Sequence, residues 1–127
     1  MYDSELALEI VSQIHRAART IIDRVQPVKK ISDFTDSPQG MEKLDSICML
    51  LIAIGESLKN LDKVTNQSLL PLYPQIDWKS AKGMRDVISH HYFQVDAEII
   101  FNVCHDYMAE MVKVLQNIIS DLSKQDC

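Results

Sequence analysis

At 127 residues the chain has room for one domain with a real core and none for a separate regulatory domain. Its 46% apolar and 24% charged residues are globular proportions, and 3 glycines with 4 prolines are too few for an all-β chain of tight turns. A net charge of -5 argues against broad, nonspecific coating of nucleic acid, while a small local RNA site stays compatible with it.

The cysteines are Cys48, Cys104 and Cys127, with no CxxC and no Cys/His metal spacing. No metal or cofactor is implied. Their odd number and the acidic start Met1-Tyr2-Asp3-Ser4-Glu5, which lacks a charged leader, suggest reduced thiols in a cytoplasm. No apolar run reaches the roughly 18 residues of a membrane span.

Leu6, Ile10, Ile14, Ala17, Ile21 and Val25 recur at spacings of three and four, which predicts a helix from a Ser4 cap to about Val25. His15 and Arg16 fall beside that stripe and read as solvated flank residues. Pro27 ends the helix. Residues 28–37 form a connector with Ile31 and Phe34 as plugs into the core. Ser37-Pro38 is a cap followed by proline in the first turn, so a second helix runs to about Asn60 on Leu44, Ile47, Cys48, Leu51, Ile54 and Leu58. Gly55 inside it suggests close approach of another backbone. Glu56 is either a surface carboxylate or a partly buried acid paired with a base from another helix.

A second connector covers 62–77, with Thr65 capping a short helix through Leu70 before Pro71 and Pro74 break it. Asp77 then caps the helix that carries Arg85-Asp86-Val87-Ile88-Ser89-His90-His91-Tyr92. Trp78 reads as a packing anchor, with base stacking as the alternative. On a wheel of about 100° per residue, Met84, Val87, Ile88 and His91 share an apolar face. Asp86 and His90 lie together elsewhere, so Asp86 can orient the His90 ring. Arginine stabilises phosphate and histidine moves protons near neutral pH, which together suggest phosphodiester chemistry. Arg85 and His90 are five apart, about 140° around a straight helix, so the helix must end or distort near Ser89 or a second subunit must complete the site. Gly83 would let a partner helix come close, and Lys79, Lys82 and Arg85 make a short basic cluster. His91 reads as structural, His90 as the working group, and Tyr92 as a residue with an exposed hydroxyl. A last helix, capped by Asp96, carries Ile100, Cys104, Tyr107, Met108, Met111, Leu115, Ile118 and Leu122. The expected fold is a single all-α domain over 1–127, an up-and-down bundle of four main helices with one or two short ones.

Arg85-x4-His90-x-Tyr92 resembles the signature of the HEPN ribonuclease superfamily, in the form of HepT-like toxins. Ile54-Gly55-Glu56, Ile76-Asp77-Trp78, Gly83-Met84-Arg85 and Tyr92-Phe93-Gln94-Val95-Asp96 resemble family segments in order and spacing. The similarity covers nearly the whole chain and is most specific over 76–100. It implies a metal-independent endoribonuclease acting as a homodimer, the toxin partner of a minimal nucleotidyltransferase antitoxin. His90 would be general base or acid, Arg85 would bind the scissile phosphate, Asp86 would support His90, and Tyr92 would accept AMP from the antitoxin. The rival expectation is a non-catalytic docking partner of a nucleotidyltransferase. One departure is His91, where the family often has an acid, which removes a carboxylate beside the site.

Overall fold

The computed structural model describes residues 2–90 and 96–125. Among them the regular structure is helical throughout, with no strand. Helix α1 spans Ser4–Val25, α2 Ser32–Thr35, α3 Pro38–Val64, α4 Trp78–His90, α5 Ala97–Asn102 and α6 Met108–Gln125. A 3₁₀ turn at Leu70–Leu72 precedes α4, and a π-helical turn at Val103–Tyr107 joins α5 to α6. This is the all-α bundle that the periodicity predicts, in keeping with the fold the HEPN resemblance implies: α1, α3, α4 and the α5–α6 unit are its main helices. No helix among the described residues is long and apolar enough to cross a membrane.

The core lies where α1, α3 and α6 meet. Helix α1 turns Ala7, Ile10, Val11, Ile14, Ala18, Ile21 and Val25 inward. The buried stripe is thus one residue off the expected one at two places, with Ala7 and Ala18 inside while Leu6 is 41% exposed. The cap is also one residue earlier than Ser4: the Asp3 carboxylate accepts the Leu6 N–H at 3.1 Å, a better acceptor for the positive end of a helix than a hydroxyl. Phe34, on α2, is fully buried as a plug, but Ile31 is 37% exposed because it precedes the α2 turn. Gly40 is where α2 docks on α3: a Cβ there would stand 2.2 Å from the Asp33 carbonyl oxygen.

Ser37 caps α3 as expected, accepting the Gly40 N–H at 3.0 Å, but the helix runs past Asn60 to Val64. Thr65 ends this helix rather than starting another. Its hydroxyl donates to the Leu61 carbonyl at 2.8 Å and is buried, so the side chain closes the last turn. Asn66 and Gln67, at φ 54° and 60°, then turn the chain in left-handed conformations. The last helix contains the π turn at its middle, and there Tyr107, placed on the core stripe by simple periodicity, is 62% exposed. One extra residue in a turn rotates everything before it relative to everything after it. The same turn carries His105, whose Nε2 lies 3.1 Å from the Val28 carbonyl and whose ring stacks 4.3 Å from Phe101.

Candidate active site

Asp77 starts α4 by accepting the Ser80 N–H at 3.1 Å and the Ser80 hydroxyl at 2.7 Å. Those bonds hold its carboxyl below the usual carboxylate range. Trp78 is buried and its indole N–H donates to the Tyr73 carbonyl at 2.8 Å, so it anchors the helix and offers no face for a base. From this anchor α4 runs along α3. Gly55 sets how near: a Cβ at this position would lie 2.7 Å from the Arg85 Cβ and 3.3 Å from the Lys82 carbonyl oxygen. The close approach expected of that glycine is thus made by the helix that carries the motif.

Arg85 arrives beside two carboxylates. Its Nε forms a tight ion pair with Glu56 of α3, and its Nη1 lies 2.9 Å from Asp86. Asp86, then Glu56, raise the arginine pKa, so the guanidinium is permanently charged. Asp86 is bridged in turn to Lys59 of α3 at 3.3 Å. Arg85 first and Lys59 second hold the Asp86 carboxyl below its ordinary range. The arginine side chain remains 34% exposed; its Nε–H lies close to Glu56 without hydrogen-bond alignment, and apart from the Nη1 bond to Asp86 its donors have no hydrogen-bond partner among the described residues. The result is a cation of fixed orientation with donors still free, the form in which arginine binds the oxygens of a phosphate.

His90 is exposed at the last described position of α4. The helix is α-helical through Ser89 and its described part ends at His90, so up to that residue the wheel offset of about 140° from Arg85 stands. Asp86 does not hold His90 by a hydrogen bond: among the described residues its partners are Arg85 and Lys59. A carboxylate between two cations at close range is already engaged by them. Of the apolar face, Ile88 is buried and Val87 is 52% exposed. His91 and Tyr92 lie outside the described residues, as do 93–95 and Cys127. Cys48 and Cys104 are buried free thiols, pushed up to about 11 and about 12 chiefly by burial.

Two participants were undervalued in the linear pattern. Glu56 appeared there as one of two readings, and the structure makes it the ion-pair partner of Arg85, although it is 52% exposed rather than partly buried. Lys59 was not singled out at all. The available signal was its spacing, since Glu56, Lys59 and Lys63 recur at three and four and therefore share one face of α3.

The family described as HepT-like, ribonuclease HepT-like, matches residues 7–118. The chain belongs to the HepT-like ribonuclease family. Among curated relatives, the Methanocaldococcus jannaschii protein named "Putative RNase MJ0127" is 30% identical over 112 residues, covering 84% of this chain and 89% of that protein. "Putative RNase TTE0752" from Caldanaerobacter subterraneus subsp. tengcongensis is 29% identical over 99 residues, or 78% of this chain and 81% of the relative. No solved structure matches the chain significantly.

Proposed function

We propose that this HepT-like chain is a metal-independent endoribonuclease that works as a two-fold dimer and is the toxin of a toxin–antitoxin pair. The observation that carries the reading is Arg85, fixed by Glu56 and Asp86 with donors left over, on the same helix as an exposed histidine. A charged guanidinium and an imidazole suffice for cleavage by the ribose 2′-hydroxyl. His90 takes the 2′-hydroxyl proton, the 2′-oxygen attacks phosphorus, and the bond from phosphorus to the 5′-oxygen breaks. Arg85 donates to the non-bridging oxygens as their charge grows. A proton delivered to the leaving 5′-oxygen completes the step, giving a 2′,3′-cyclic phosphate and a 5′-hydroxyl. Because Arg85 and His90 diverge on a regular helix, an isologous dimer that sets two copies of α4 face to face supplies the arginine of one copy and the histidine of the other.

The test is cleavage of RNA by the purified chain in EDTA. Arg85→Ala and His90→Ala should each lower the rate by about 10²–10⁴-fold while the helical circular dichroism is kept. Full activity in either variant would sink the assignment, and sedimentation as a monomer at micromolar concentration would sink the dimer.

Control of the toxin is assigned to Tyr92. Its phenolic oxygen attacks the α-phosphorus of ATP on a nucleotidyltransferase antitoxin, pyrophosphate leaves, and the phenol proton passes to a base of that enzyme. The added phosphate anion then competes with RNA for Arg85. Opposite charges about 4 Å apart near a surface attract by roughly 4 kcal/mol in the Coulomb part alone. Tyr92→Phe should escape neutralisation. Mass spectrometry after incubation with the antitoxin and ATP should place AMP on the Tyr92 peptide. Among the described tyrosines Tyr107 is the most exposed, whereas the Tyr73 hydroxyl is tied to Asp121 at 2.6 Å. AMP found on Tyr107 would refute this mode of control. AMP transfer to a chain that never cleaves RNA would favour the docking role instead.

A further inference from the structure

Next to Asp86, α3 and α4 flank a shallow, open groove of about 570 Å³. Lys59 and Lys63 line it from α3, and Lys79 and Lys82 from α4, with Asp62 and Asp86 between them. Four ammonium groups against two carboxylates leave an excess of positive charge in a chain whose net charge is -5. Lys82 is paired with Asp62, and Lys59 with Asp86. Lys63 and Lys79 are exposed, and neither has a carboxylate within ion-pair distance among the described residues. Gly83 stands in the α4 wall with no atom within 4 Å of the place a Cβ would take, so the wall is open to a bulky chain at that point. Asp86 belongs both to the groove and to the Arg85 pair, so the groove ends at the carboxylate that holds the guanidinium.

We propose that this groove is the track on which the backbone of single-stranded RNA approaches the site, with Lys63 and Lys79 as its phosphate contacts. The inference rests on the ribonuclease reading for its substrate class. Two paired lysines fix the walls, and the two without an ion pair are the cations that gain most from a phosphate, Asp77 acting on Lys79 only from beyond ion-pair distance. Contacts of this kind are independent of base sequence and are screened by salt.

The experiment is fluorescence anisotropy with a labelled 2′-O-methyl oligouridylate, which lacks the attacking hydroxyl and stays intact, over a range of salt. The double variant Lys63→Gln/Lys79→Gln should bind about tenfold more weakly at low salt, with a log–log salt slope smaller by about 1.4. Its KM for a cleavable oligonucleotide should rise by a similar factor. Lys30→Gln/Lys113→Gln carries the same change of charge on exposed positions elsewhere and should bind like the unmodified chain. Unchanged affinity and slope in the groove variant, or an equal loss in the control variant, overturns the proposal. Lysine-dependent binding by a chain that cleaves nothing keeps the track and sinks the ribonuclease reading. Cleavage together with lysine-independent binding sinks the track alone.

Discussion

Helices α6 and α4 are held in the molecule by different forces. Helix α6 packs on α1 and buries Met108, Met111, Val112, Val114, Leu115, Ile118 and Leu122. Helix α4 packs on α3 and buries only Trp78 and Ile88. What α4 lacks in apolar area it replaces with a bare glycine surface at Gly55 and with charge pairs from Lys82, Arg85 and Asp86 to Asp62, Glu56 and Lys59. The two more exposed pairs, Lys59–Asp86 and Arg85–Glu56, contribute little stability, so they position α4 more than they hold it. Those ties also aim Arg85. Substitutions in the α1–α6 core should therefore cost stability first, and substitutions around α4 should cost function first.

The largest effect on stability should come from the core. Leu115→Ala removes a fully buried side chain and should cost about 2–5 kcal/mol in denaturant unfolding, with the specific activity of the folded fraction unchanged. A proportional fall in that activity would erase the distinction between the two regions.

Gly55→Ala tests the junction. In a helix interior this change alone gains about 1 kcal/mol. Here the new methyl meets the Arg85 Cβ at 2.7 Å, an atom fixed to the α4 backbone, so a net loss of about 1–3 kcal/mol and a sharp fall in cleavage are expected. A stabilised, active variant would show that α4 does not need its close approach.

Glu56→Gln sharpens the comparison further. Stability should move by no more than about 1 kcal/mol, because the pair is half exposed. Cleavage should still fall by about tenfold to hundredfold, since the guanidinium loses the charged partner on α3 that it sits against. Unchanged turnover would mean that Arg85 is aimed by Asp86 alone.

The smallest effect concerns His15, on α1. Its pKa lies below the ordinary histidine value of 6.5, lowered by burial first and then by Arg19 and Arg16. Folding thus favours the neutral ring. Its contribution is complete above about pH 6.5, declines as pH falls from there toward the lowered folded value, and then levels off. The melting temperature should dip across that window in the unmodified chain and dip less in His15→Gln. Parallel curves would remove His15 from the account.

The sequence by itself determined the helices, because apolar residues spaced by three and four can be buried only on a helix face. It also determined the start of α3 at Ser37-Pro38 and the start of α4 at Asp77, since these caps act within a few residues of themselves. The spacing Arg85-x4-His90-x-Tyr92 was legible as a resemblance to the HepT-like family, to which the chain belongs. Only the tertiary structure decided who holds whom. Local spacing paired Asp86 with His90, whereas the carboxylate goes to Arg85 and to Lys59, 27 residues away. Helix periodicity reports neighbours along one helix and is silent about the helix alongside. The π turn at Val103–Tyr107 was invisible for a related reason: it shifts phase by one residue within a stripe that stays apolar on both sides. Glu56, Lys59 and Lys63 came beside Arg85 and its neighbours only because Gly55 lets α4 lie against their face of α3.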